Sequence, residues 1–130
     1  MTRLLLLVGR ALLLRCPHCG AGGVLRSWFH LRERCSRCGL ALERHEGEDY
    51  FLGGMMLNIA LSELAYAGLI VSWIVLTWPA PPWNWLQYVG IPFMMAAPFV
   101  FYPLSKTAWL AFDLWIRPAR ADDLAAAPPR

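Results

Sequence analysis

The chain is 130 residues long, one domain's worth on length alone. It is 58% hydrophobic and 16% charged, against roughly half and a quarter in an ordinary soluble domain. Such a composition argues against a self-contained soluble fold, because the excess must be buried in lipid or in a partner. The net charge of +3 hides an asymmetry: residues 1–44 hold eight arginines against two glutamates, while residues 45–130 hold seven acids against three arginines and one lysine. A basic head before an apolar, slightly acidic body is the pattern of a head on the cytoplasmic side, where anionic lipid lies.

Residues 1–15 open with leucine runs broken by Gly9 and Arg10. The apolar part, Leu4–Leu14, is too short to cross a hydrocarbon core, which takes about 20 residues. A cysteine motif follows where a signal-peptide cleavage site would stand. Two readings remain open. One is an amphipathic helix at the lipid interface, with Arg3 and Arg10 on one face reaching headgroups. The other is a helix packed on the rest of the protein.

Residues 16–45 carry RCPHCG and RCSRCG, two near-copies of one stretch, giving C-x2-C-x15-C-x2-C over Cys16, Cys19, Cys35 and Cys38. This spacing is that of a tetrathiolate metal site. Two thiolates two residues apart on a tight turn can both face one ion about 2.3 Å away. Gly20 and Gly39 supply the dihedrals that close each turn. The intervening stretch suits a short hairpin, with Val24–Arg32 as strand material and Trp28 and Phe29 at its centre. Disulfides would need an oxidising compartment, and a redox dithiol is usually a single C-x-x-C beside a βαβ pattern. Zinc is the expected ion and iron the runner-up, since spacing alone does not separate them. With four sulfurs and no open position, the ion is structural. Arg15, Arg34 and Arg37 stand beside the ligands to offset their charge. His18 and His30 read as surface residues of the ribbon rather than ligands.

Residues 51–78 form an apolar run whose only charge is Glu63, and residues 85–105 a second with none. Each is long enough to span a bilayer. Between them lies a proline-rich loop, 79–84, without Lys or Arg. Lys106, Arg117 and Arg120 follow the second run. Both termini and the ribbon are therefore expected on the cytoplasmic side and the loop outside. Pro98, near the middle of the second run, is expected to bend it, and residues 106–117 are expected to form a separate interfacial amphipathic helix. The tail, 118–130, is rich in Ala and Pro and reads as disordered.

Glu63 is an ionisable group inside a span, which marks function or a partner. Matching the two legs of the hairpin places it near the level of Phe101, with Lys106 about 7–8 Å above. A Glu63–Lys106 pair is one reading, and a proton or metal ligand the other. His45, Glu46, Glu48 and Asp49, between ribbon and first span, are second-site candidates for a divalent ion. Their alternative is a set of acids favoured at a helix N-terminus.

RCPHCG, then RCSRCGLALERHEGEDYF, two spans and FYPLSKTAWLAFDLWIRP together resemble Domain of Unknown Function family 983 over roughly residues 12–118. The resemblance implies a small bacterial inner-membrane protein with a cytoplasmic zinc ribbon. It implies no established activity, and favours an assembly or adaptor role, with a respiratory complex as one candidate client. The fold class expected is therefore a membrane protein: a small β zinc ribbon, then a two-helix transmembrane hairpin with short interfacial helices. No nucleophile–base pair or open metal site is visible, so an enzyme is not expected. The expected partners are the bilayer and another membrane or membrane-associated protein; nucleic acid and a small-molecule substrate are not expected. The competing reading is metal or redox handling at the membrane surface, by the C-x-x-C pairs and the His45–Asp49 cluster.

Overall fold

The computed structural model describes residues 2–43 and 50–124. In chain order it holds α1 (Thr2–Leu12), β1 (Leu25–Ser27), β2 (His30–Leu31), α2 (Tyr50–Thr77) and α3 (Trp83–Ile116), then a 3-10 turn at Asp122–Leu124.

α1 is amphipathic and is not spent on lipid alone. Leu7 and Ala11 are buried, in one core with Leu110, Ala111 and Leu114 of α3. Leu5, Leu6, Leu12 and Leu13 remain exposed on its other side. The packed reading therefore describes the inner face of this helix. Its end is closed by paired bonds, Leu14 N to Ala11 O at 2.9 Å and Arg15 N to Arg10 O at 3.0 Å, the pattern that turns a chain sharply out of a helix. Leu14 takes the left-handed conformation this turn demands, with φ of 53°. The chain is thereby delivered straight into the first cysteine pair.

β1 and β2 form an antiparallel hairpin, with Leu25 opposite Leu31 and Ser27 opposite His30. Trp28 and Phe29 are its turn rather than its strand centre. A second short bridge, Arg34 to Ala41, closes the far side of the ribbon. Val24, Leu31, Leu40 and Leu42 point inward and join the core that α1 and α3 line. A ribbon this small has too little apolar surface to stand alone, and it borrows the helices.

α2 has 28 residues and α3 has 34, about 42 Å and 51 Å at 1.5 Å per residue. Both are long and apolar enough to cross a membrane. Only 6% of the α2 window is buried by the rest of the protein, unlike the core helix of a soluble domain. α2 stops before Pro79, and α3 starts after Pro82. α3 runs unbroken through Pro92, Pro98, Pro103 and Ser105 to Ile116, so the separate helix expected over 106–117 is the end of this one. The sequence hid this because Lys106 reads as the end of a span. In the structure its ammonium donates to the Phe29 carbonyl at 2.8 Å and lies 4.7 Å from the centre of the Tyr102 ring, so the charge is accommodated without ending the helix.

The helices run antiparallel with a fixed register. Asn58 Nδ2 donates to Pro98 O at 3.0 Å, and the Tyr66 and Phe93 rings stack with centroids 6.4 Å apart. The C-terminal end of α3, with buried Ser105, Thr107, Leu110, Ala111 and Leu114, is a packing strut for the ribbon rather than a surface helix. The described part of the tail is also ordered: Asp123 O accepts from Ala41 N at 3.0 Å, and Asp123 Oδ2 from Arg120 N at 2.8 Å.

Candidate metal centre

The two sequence copies make two copies of one turn. Gly20 N donates to Cys16 O at 2.8 Å and Cys16 N to Ala21 O at 2.8 Å; Gly39 N donates to Cys35 O at 3.0 Å and Cys35 N to Leu40 O at 2.8 Å. Both glycines sit at positive φ, 75° for Gly20 and 73° for Gly39, where a side chain would be strained. Each turn thus points two sulfurs the same way.

Between the turns the sulfurs meet. Cys16 Sγ lies 3.8 Å from Cys38 Sγ, and Cys19 Sγ lies 3.7 Å from Cys35 Sγ. All four fall within 4.8 Å of one another. Four sulfurs placed tetrahedrally about one ion at about 2.3 Å would be about 3.8 Å apart along each edge. The two short distances between the turns match that edge, and the four sulfurs lie close enough together to hold a single metal ion. Cys16 and Cys35 are buried, while Cys19 and Cys38 are half-buried, and no disulfide joins any of the four.

The thiols differ in how readily they ionise. Burial pushes Cys16 well up, with the neighbouring Cys35 and Cys38 adding to it. Cys38 is pushed up to about 11, again chiefly by burial. For Cys35 burial acts in the same direction, but the backbone N–H groups of Cys38 and Arg37, with the sulfurs of Cys19 and Cys38, outweigh it and bring the thiol down to about 7. Cys35 is therefore the readier to hold charge, while Cys16 and Cys38 need the ion to do so.

The cation that braces the first turn is one the sequence reading assigned elsewhere. Arg10 reaches from α1 to donate to the carbonyls of Pro17 at 3.1 Å and His18 at 2.8 Å, and its side chain packs on Gly20. It does not share a headgroup-facing role with Arg3. Its isolation in a run of leucines was the available signal. On the second turn Arg34 plays a matching part, donating to Gly39 O at 3.1 Å. Arg15 and Arg37 are exposed. His18 and His30 are exposed too, with His30 Nδ1 3.1 Å from Ser27 Oγ.

Among the described residues, Glu63 and Lys106 are not brought together. Glu63 is exposed on α2, and the Asn58–Pro98 and Tyr66–Phe93 contacts put it level with about Phe93. Lys106 is then about 20 Å further along α3 at 1.5 Å per residue, so the expected Glu63–Lys106 pair does not form. Matching two legs of equal extent misplaces Glu63, because α3 runs past the start of α2. His45, Glu46, Glu48 and Asp49 lie outside the described residues.

Residues 25–115 match the family described as Protein of unknown function (DUF983). The chain belongs to this family. The match takes in the hairpin, Cys35, Cys38 and both long helices but begins after Cys16 and Cys19, so it is narrower than the stretch from 12 to 118. No curated protein and no solved structure matches the chain.

Proposed function

We propose that this DUF983 protein is a non-enzymatic adaptor or assembly factor of the bacterial inner membrane, built on a structural zinc ribbon. α2 and α3 would form a transmembrane hairpin with both termini and the ribbon cytoplasmic, and the client would be a membrane complex, a respiratory one among the candidates. The observation that carries this reading is the single core shared by the cysteine turns, α1 and the end of α3. It makes the ribbon a rigid head on a membrane anchor. Four sulfurs are enough to complete a tetrahedron, which suits a structural ion, and zinc would suit such a donor set in the reducing compartment proposed.

The head presents a groove of about 550 Å³ lined by Arg26, Arg32 and Arg34 with Glu33. A basic groove held at the membrane surface suits an acidic segment of a partner. The test is a photo-crosslinking residue in place of Arg26 or Arg32 in growing cells. A discrete adduct lost in Cys35→Ser is expected, and no adduct under any growth condition would retire the adaptor reading.

The half-buried sulfurs of Cys19 and Cys38 favour a second reading, transient metal handling. It predicts fast exchange of the ion for copper or iron with the fold intact. A structural site holds about one zinc per chain and loses the ribbon fold with it.

A further inference from the structure

Glu63 is the single charged residue between positions 51 and 105, and the fold turns it away from its own partner helix. Asn58 and Ser62 face α3 and are buried, while Glu63 stands about 100° round the helix from Ser62. One turn to either side on the same face are Ala60 and Ala67, both exposed. Beyond them stand Met56, 64% exposed, and Val71, 60% exposed. Counting back from Thr77 across a hydrocarbon core of about 30 Å, the carboxyl group lies about 9 Å inside the inner boundary.

We propose that this face of α2 is an intramembrane docking surface for a transmembrane helix of a different protein, one carrying a lysine or arginine at the depth of Glu63. The proposal deepens the adaptor reading and rests on α2 and α3 being membrane-spanning. Charge complementarity selects the occupant. A carboxylate facing lipid is costly and calls for a partner. This chain has no Lys, Arg or His between positions 51 and 105, and Lys106 is held at the ribbon by the Phe29 carbonyl. A second copy would bring another carboxylate to the same depth, not a cation. Alanines flanking the acid let a second backbone approach closely enough for the two side chains to meet.

The test uses the full chain with its ribbon metal bound, donor-labelled at the amino terminus and reconstituted in phosphatidylcholine vesicles. The probe is an acceptor-labelled Leu/Ala transmembrane peptide with one lysine at the depth of Glu63. Energy transfer is expected to report association about tenfold tighter than for the same peptide with leucine there, a difference of about 1.4 kcal/mol. Glu63→Gln should bring the lysine peptide to the leucine level. Ala67→Phe, which blocks the face but keeps the acid, should do the same, and moving the peptide's lysine into the outer half should abolish the preference. Equal association of the lysine and leucine peptides overturns the proposal. Stronger association between two labelled copies, lost in Glu63→Gln, also overturns it and gives the face to a second copy. Flotation separates the two layers of inference: a chain that does not float with the vesicles overturns the membrane reading and this one with it. A chain that floats but ignores the lysine overturns this proposal alone.

Discussion

The indole Nε1 of Trp28 donates a hydrogen bond of 2.8 Å to the backbone carbonyl of Phe99. The carbonyl is available because Pro103, four residues on, has no N–H to give it. A proline in a helix thus leaves an orphan acceptor, and the tip of the ribbon hairpin fills it. Phe29, beside Trp28, packs edge-on to Tyr102 with centroids 5.4 Å apart, and its carbonyl holds Lys106. The hairpin turn is the clasp between the cysteine head and α3.

This geometry predicts a non-additive pair. Trp28→Phe keeps the aromatic bulk but removes the donor, and should cost about 1 kcal/mol, the net worth of a hydrogen bond. In a Pro103→Ala background the helix supplies its own N–H to Phe99, and the same change should cost only a few tenths of that. Thermal melts of the four proteins in nanodiscs would show it. Equal effects of Trp28→Phe in both backgrounds would mean that the missing proline N–H does not set the worth of the bond.

Much of the cysteine head was legible in the sequence because cysteine spacing fixes local geometry: RCPHCG and RCSRCG fold into turns with the same hydrogen bonds and a positive-φ glycine in each. The two apolar runs were legible for the same kind of reason, since length and absence of charge need no tertiary information. What the sequence concealed depended on contacts made across the chain. Lys106 looked like the end of a span because its partners, the Phe29 carbonyl and the Tyr102 ring, are 77 and 4 residues away and only the fold joins them. Arg10 looked like a headgroup anchor because its acceptors are backbone carbonyls, which carry no signature in sequence. Thr107 gave no signal at all, yet its buried hydroxyl is 3.0 Å from the carbonyl of Ala11 and ties α3 to the end of α1.

Metal removal should be felt in α1. Arg10 holds the first turn, and Leu7 and Ala11 share a core with Cys16 and Cys35. Chelation, or Cys35→Ser, is expected to lower hydrogen-exchange protection across Leu4–Leu14 as well as in the ribbon. Protection of α1 that ignores the metal would show the two to be independent. Acid should act in the same direction. Binding requires thiolates, and the Cys16 and Cys38 thiols are both raised, so they take back protons first as pH falls. An ion held by these sulfurs should therefore be retained at higher pH and released on acidification, which a chromophoric chelator would follow.

Two glycines should be irreplaceable for different reasons. Gly39 holds φ at 73°, so Gly39→Ala should cost about 1–3 kcal/mol of left-handed strain and weaken metal retention against a competing chelator. Gly53 lies under the Trp109 ring, where any Cβ would overlap it. Gly53→Ala should therefore loosen the α2–α3 pair, and Trp109→Ala in the same chain should recover part of the loss. No recovery would mean that the damage comes from elsewhere in α2.

The orientation proposed for the hairpin rests on charge and can be tested without knowing any partner. The turn between α2 and α3 holds three prolines and no Lys or Arg, while eight arginines lie in residues 1–44 and Lys106, Arg117 and Arg120 follow the second apolar run. Positively charged flanks stay on the cytoplasmic side, and exposed Trp78, Trp83 and Trp85 at the turn suit the opposite interface, where amphipathic rings settle. In intact cells a cysteine introduced at Asn84, in the first turn of α3, should react with a membrane-impermeant thiol reagent. Cys19 and Cys38, the more accessible of the native thiols, should react only after the membrane is opened and the metal chelated. Metal would shield them from the reagent on either side, so the decisive comparison is made in chelator-treated intact cells. Labelling of Cys19 or Cys38 there, with Asn84→Cys silent, would put the ribbon outside and reverse the hairpin.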